Sequence, residues 1–303
     1  MVNAEPCWST ALGRGYPVRN CIDCLCTAQG WDVKVFLGLD LLFGSFWTHR
    51  ALIARLAARE ISQRFKGSIL GLGWAVLTPL LTAAVFTFVF SGVFQMRWSG
   101  RSGSPYDFAL MLLVGLMIHG LFAEAISRAP SLIIGNASYV TKVVFPLEIL
   151  PVVVAVASLV NAGITAAILL VGNLLVNGTV QWTSLFFPIV LAPFVIFVTA
   201  LVMLAAACGV FLRDLAQVTG LVITMALFLT PVFYPLDAVP AAFQFYMRLN
   251  PLTSIVEQSR SVLLLGIMPN FVSLALYGAC ALLCLAFSFW VFRRLRGGFA
   301  DVL

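Results

Sequence analysis

The sequence predicts an all-α polytopic membrane protein with six transmembrane helices. Three observations carry this. The chain has 303 residues, of which 61% are hydrophobic and 10% charged, and its mean hydropathy is +1.03. Soluble domains carry about 25% charged residues, so a water-soluble fold of this composition would have too little polar surface to cover its apolar mass. Six stretches are each able to supply the roughly 20 apolar residues that a membrane helix needs. The lysines and arginines are divided very unequally among the segments between those stretches.

In chain order, the first uncharged run is 73–94. The second is 108–123, extending past Glu124 to about Ser127. The third, 149–176, is apolar apart from Asn161 and Asn173. The fourth, 185–212, is uncharged, the fifth is 215–236 and the sixth 271–292. Runs this long and unbroken suit helices and not the short alternating strands of a barrel, because backbone groups must be paired within lipid. Between the fifth and sixth runs lies FYPLDAVPAAFQFYMRLNPLTSIVEQSRSVLLLGIMPN. It is too polar to cross and too apolar for a free loop, and short re-entrant helices suit it. Fourteen of the eighteen basic residues flank one face, and Arg97, Arg101, Arg248 and Arg260 flank the other. The positive-inside rule then places both termini in the cytoplasm. The net charge of +6 reflects this topology, not a nucleic-acid surface.

Ahead of the first run, residues 33–47 are hydrophobic but short and interrupted by Asp40. No signal-peptide pattern is evident in residues 1–30. WTHRALIARLAAREISQRFKG places Ile53, Ala57, Ile61 and Phe65 at four-residue spacing, widened by Leu52 and Leu56, with Arg55, Arg59 and Gln63 off that face. This predicts a basic amphipathic helix along the inner membrane surface, with Arg55, Arg59, Arg64 and Lys66 as its interface residues. Four segments follow: a cytoplasmic extension at 1–44, partly disordered or interfacial; the amphipathic helix and turn at 45–72; a transmembrane domain at 73–292; and a cytoplasmic tail at 293–303.

The chemistry-bearing residues are few. Cys21, Cys24 and Cys26 cluster in CIDCLC, with Cys7 upstream. A zinc site favours a second Cys-x-x-Cys pair, which is missing unless Cys7 joins; a weakly ordered tail in a reducing compartment is the favoured reading. There is no GxxxxGK[ST] and no HExxH, so the chain is expected to hold no nucleotide, metal or cofactor and to catalyse nothing itself. His49 and His119 are the only histidines, and His119 is assigned to packing. Acidic residues at mid-span are sparse, which weakens an ion-coupled transporter.

The stretch RFKGSILGLGWAVLTPLL at 64–81 carries three glycines and Pro79 where the first run begins. Together with NASYVTKVVFPLEILPVV at 136–153, FLRDLAQVTGLVITMALFLTPVFYPLDAVP at 211–240 and LNPLTSIVEQSRSVLLLG at 249–266, it resembles the polysaccharide-exporting permeases of the ABC-2 class: the O-antigen, group 2 capsule and wall teichoic acid exporters. Order and spacing match over roughly 45–303. The resemblance implies a permease of the bacterial inner membrane that pairs with a second copy of itself. It also implies two copies of a separate ATPase that binds the ATP and magnesium, and a lipid-linked glycan as substrate. Asn136, Tyr139 and Lys142 fall in the stretch that leads out of the family's coupling helix. The glycines are expected to turn the amphipathic helix into the bilayer, and Pro79 to bend the first span.

The conduit is expected between the first span of one subunit and the fifth of the other. Gly73, Thr78, Thr82 and Thr87 would line it from the first span. Thr224, Thr230, Tyr234, Phe243 and Tyr246 would line it from the fifth span and the segment after it. Small and hydroxylated side chains lower the cost of a polar guest, and rings offer sliding contacts to sugar faces. An aromatic belt at the headgroups is the competing account of the rings. Two other function classes stand beside export of a glycan: an ABC-2 exporter of a small lipid or drug, and a membrane-embedded glycosyl- or acyltransferase. The latter would need clustered carboxylates or a histidine at one membrane face.

Overall fold

The computed structural model describes residues 44, 46–71, 73–95, 105–141 and 145–302. The cysteine cluster Cys21, Cys24 and Cys26 lies outside them, as do Arg97, Arg101 and Lys142. The described chain is helical throughout, and five of its helices are long and apolar enough to cross a membrane.

Helix α1 (Arg50–Phe65) is the amphipathic segment. Its Ile53 and Ala57 are buried against Ile149 and Val153, flanked by Leu52 and Leu56. The apolar stripe therefore seats on protein, while Arg55 and Arg59 stay exposed. The chain then turns at Gly67 and Gly71, both in the left-handed region at φ +80° and +53°, a conformation that costs an L-residue about 1 kcal/mol or more. Gly73 has no such backbone demand and begins helix α2 (Gly73–Thr87). Pro79 lies inside α2, which continues as a π-helical turn, Phe88–Val93. Thr82 Oγ1 donates to the Thr78 carbonyl at 2.8 Å beside that proline.

Helix α3 (Pro105–Arg128) is the centre of the bundle. Of its most apolar window 72% is buried, against 6% for α2. It contacts α2 and each of the long helices α5 (Ile149–Asn177) and α6 (Phe187–Gly209). Between α3 and α5 run a 3₁₀ turn, Ile134–Asn136, and the short helix α4 (Ala137–Thr141). The α3–α4 turn is pressed onto the end of α6. A Cβ on Gly209 would fall 2.7 Å from the Pro130 Cα and closer still to its carbonyl oxygen, so only glycine fits.

The fifth apolar run departs from the expected 215–236. Helix α7 (Leu215–Leu229) has 15 residues, about 22 Å of rise, short of the roughly 30 Å hydrocarbon. Thr230 is extended at φ −98°, ψ 139°. The cause is Pro231, whose ring disfavours the helical conformation for the residue before it. Two short helices follow, α8 (Ala241–Leu249) and α9 (Pro251–Arg260). A π-helical turn, Ser261–Leu265, then ends at Gly266 with φ +70°.

Helix α10 (Phe271–Arg296) packs along α6. The last residues are also docked. In the short helix α11 (Phe299–Val302), Phe299 is fully buried between Phe292 and Phe211, and α11 contacts α4. Arg296 Nη1 holds Glu148 Oε1 at 2.7 Å, fixing the α10 end to the start of α5.

Candidate functional site

The break after α7 leaves carbonyls without helical partners, and two side chains supply them. Arg260 is 2% exposed. Its Nη1 donates to the Pro231 carbonyl at 2.7 Å, Nη2 to Val232 at 2.9 Å and Nε to Met111 of α3 at 3.1 Å. Nη1 also meets Glu257 Oε1 at 3.1 Å. The guanidinium fork thus joins α9, the broken segment and α3 at one point, a geometry lysine cannot reproduce. Gly115 makes room for it, since a Cβ there would sit 3.1 Å from Nη2. Asn250 caps α9 by accepting from the Leu252 amide at 3.0 Å, and its Nδ2 donates to Thr230 Oγ1 at 3.0 Å and to the Leu229 carbonyl at 3.3 Å.

This junction frames an apolar cavity of about 630 Å³ that takes in Tyr234, Phe243 and Tyr246, with Met225 and Phe197 opposite. Three of the expected conduit residues therefore share one concavity. Tyr234 is anchored, its hydroxyl donating to the Phe228 carbonyl at 2.6 Å, whereas Phe243 and Tyr246 are exposed. Thr224 is exposed and donates to the Gly220 carbonyl at 3.1 Å. Thr230 is fully buried under Asn250 and does not present its hydroxyl to the cavity. On the α2 side, Phe90 stacks on Phe233 at 4.8 Å and Phe86 meets the same ring at 4.9 Å. Gly73 is exposed, and the Thr87 hydroxyl is buried in the same stretch as those rings. Thr78 and Thr82 belong instead to a second cavity, between α2, α3 and α5.

At the Arg128 end of the bundle the charges gather around Glu124. Its Oε1 lies 2.6 Å from Arg64 Nη1 and 3.6 Å from Arg128 Nη2, and Oε2 accepts from Asn161 Nδ2 at 2.8 Å. Arg128 also holds Glu60 at 2.6 Å. Helices α1, α3 and α5 are tied through one carboxylate.

The residues matched to a coupling element sit beside α1. Asn136 Nδ2 donates to the Leu132 carbonyl at 2.8 Å, and Tyr139 stacks on Phe145 at 4.7 Å. A shallow groove is lined by Asn136 and Tyr139 together with Arg59, Glu60 and Gln63 of α1. Of the residues assigned from the sequence, Arg59 of the interface set and Asn136 and Tyr139 of the coupling stretch thus line one groove. Arg55 and Lys66 lie exposed on α1 and just past its end. Among the described residues no group of three His, Cys, Asp or Glu side chains could hold a metal ion.

Sequence reasoning missed two features. Arg260 counts there only as a flanking charge, yet it is the most enclosed cation among the described residues. The local sequence holds little signal, because Arg260 sits among Glu257, Gln258, Ser259 and Ser261 while its carbonyl acceptors Met111, Pro231 and Val232 lie far off in the chain. Glu124 stood only as an acid near the end of the second run, because its two closest partners, Arg64 and Asn161, lie 60 and 37 residues away.

A bundle of long apolar helices with an amphipathic leading helix and no nucleotide-binding loop in its sequence defines a polytopic membrane subunit. Residues 51–264 match the ABC-2 type transporter family, and the chain belongs to it. Members of that family are transport subunits without a nucleotide-binding domain, and this one is a polytopic protein of the bacterial inner membrane. The chain is 31% identical over 130 residues to the O-antigen export system permease protein RfbA of Myxococcus xanthus, covering 43% of this chain and 47% of that protein. It is 27% identical over 120 residues to the protein of the same name from Klebsiella pneumoniae, covering 40% and 41% respectively. The matched stretch spans less than half the length of these curated relatives.

Proposed function

We propose that this chain is the permease of an exporter that moves a lipid-linked glycan, O-antigen or a related surface polysaccharide, across the inner membrane. A separate ATPase drives it. The observation that carries the reading is the cavity that gathers Tyr234, Phe243 and Tyr246 in a chain of this family. Rings give a polymer sliding contact without a fixed hydrogen-bond register. In this reading α7 and the unwound segment after it, whose Pro231 and Val232 carbonyls Arg260 pairs, together make the fifth of six crossings, α8 and α9 dip into the outer half of the bilayer, and both termini are cytoplasmic. A second copy covers the exposed face of α2, and the conduit runs between α2 of one subunit and α7 of the other. The groove between α1 and the Asn136–Tyr139 stretch takes the ATPase, so that closure of two ATP-bound subunits moves α1 and α4 together. Lys142 completes that stretch.

The test is surface glycan measured beside permease abundance in the parent bacterium. Removing the chain should abolish surface glycan and leave the lipid-linked polymer inside. Restoring it should restore export only together with the ATPase. Unchanged surface glycan with altered sensitivity to a lipid or drug would favour the small-molecule exporter.

A further inference from the structure

The second cavity has a chemistry the first lacks. It measures about 350 Å³ and lies between α2, α3 and α5 of a single subunit, near the lower end of the size range of small-molecule sites. It is lined by Trp74, Glu124, Asn161, Arg64, His119 and the hydroxyl-bearing Thr78 and Ser158. Most of the polar groups are oriented before any ligand arrives: Arg64 and Asn161 are held against the two oxygens of Glu124. Ser158 differs. It is 1% exposed, it lines the cavity, and its hydroxyl has no hydrogen-bond partner. That oxygen is closed off from the space itself, so the polar side chains offered to a ligand are those of Glu124, Asn161, Arg64, His119, Thr78 and Thr82.

We infer that this cavity is a binding subsite for sugar rings of the exported glycan, within one subunit and apart from the conduit between subunits. The inference rests on the glycan-export reading above. The donor set selects the ligand. A carboxylate and an amide side by side accept from and donate to adjacent hydroxyls of a pyranose. An arginine adds charge-assisted donation, and an indole offers a face to the ring's C–H surface. An anionic group alone is a poorer fit, because the Arg64 charge is already balanced by Glu124 at 2.6 Å. A lipid tail alone would leave Thr78, Asn161 and Glu124 against hydrocarbon. The site lies at the end of the bundle where α1 turns into α2, so a sugar held there would meet the permease before reaching the aromatic cavity near Tyr246.

The test is photo-crosslinking in exporting cells with the full chain and its ATPase. Benzoylphenylalanine is placed singly at Thr82 or Leu116, which line this cavity, and at Tyr246 in the aromatic one. Adducts are blotted for glycan and for phospholipid and normalised to membrane-inserted permease. Glycan adducts are expected at Thr82 and Leu116. Thr78→Val, which keeps the side chain's shape and removes one hydroxyl from the cavity wall, should weaken them about fivefold with abundance unchanged. Glycan adducts at Tyr246 alone would overturn the subsite and leave the export reading standing, as would adducts at Leu116 carrying phospholipid only. Glycan at none of the three positions would overturn both.

Discussion

Arg260 Nη1 donates to the carbonyl oxygen of Pro231 at 2.7 Å. The two residues explain each other. Pro231 ends α7 early and strips hydrogen-bond partners from its own segment. Arg260, carried in from α9, supplies donors to two of its carbonyls and to a third on α3. Without the arginine those acceptors would stand unpaired in a buried place, at about 1–3 kcal/mol each.

Arg260→Met should therefore lower stability by about 3 kcal/mol or more. Arg260→Lys should recover only part of that, since the three donors of an ammonium diverge from one nitrogen and cannot match carbonyls spaced for three guanidinium nitrogens. Thermal unfolding of the detergent-solubilised permease measures both. Equal stability of Lys and Arg at this position would mean that charge alone, not the fork, holds the junction.

The Glu124 cluster makes a second test. Arg64 and Glu124 come from different helices and meet at 2.6 Å, with the arginine side chain 42% exposed and the carboxylate 13%. Solvent screening at the arginine limits the pair to about 1 kcal/mol. Arg64→Gln and Glu124→Gln should each destabilise, Glu124→Gln more because Arg128 and Asn161 also lose a charged partner. The double variant should fall short of the sum by about 1 kcal/mol. Strict additivity would show that the Arg64–Glu124 pair adds nothing to the hold that the Ile53–Ala57 stripe and the Glu60–Arg128 pair have on α1.

Two glycines on adjacent helices should respond oppositely. Gly209→Ala drives a methyl into the Pro130 backbone, with no flexible side chain to yield, and should cost about 3 kcal/mol or more by overpacking. Gly220→Ala meets nothing within 4 Å and should be neutral or stabilising by about 1 kcal/mol through helix propensity. Membrane-inserted abundance and unfolding temperature report both.

The long helices were legible because an uncharged run of more than 20 residues has few alternatives in water or lipid. The α1 stripe was legible from spacing, and Ile53 and Ala57 do bury together. The glycine-rich turn was legible in place but not in detail: Gly67 and Gly71 take the left-handed conformation, while Gly73 does not. The fifth span was read seven residues too long because hydropathy continues past Thr230 while the backbone cannot. What stayed hidden was set by contacts distant in sequence. Asn250 seals Thr230 from 20 residues away, and Arg260 reaches Met111 across 149. Phe299 was hidden too, since a short tail beyond Arg296 gives no periodic signal of its burial.

Tyr234 and Tyr246 separate anchoring from transport. Both line the aromatic cavity, yet their environments differ. The Tyr234 hydroxyl is bonded to the last turn of α7 through Phe228 at 2.6 Å, so Tyr234→Phe should cost about 1 kcal/mol of stability and Tyr234→Ala more. Tyr246 is 69% exposed and meets Phe245 edge-on at 5.8 Å. Tyr246→Ala should leave unfolding temperature and abundance near those of the parent, because little is packed against the ring. If the ring slides along sugar faces, the same substitution should cut surface glycan several-fold per permease molecule, since a stacking contact is worth about 1 kcal/mol and a moving polymer meets it at every step. Tyr246→Phe keeps the face and loses only the hydroxyl, so it should restore most of the export. If the ring anchors the subunit at the outer headgroups instead, Ala should reduce abundance and glycan in proportion, and Phe should behave as Ala does, because a headgroup anchor needs the polar tip as well as the ring. Surface glycan divided by permease abundance, compared across Tyr, Phe and Ala at position 246, distinguishes the two roles.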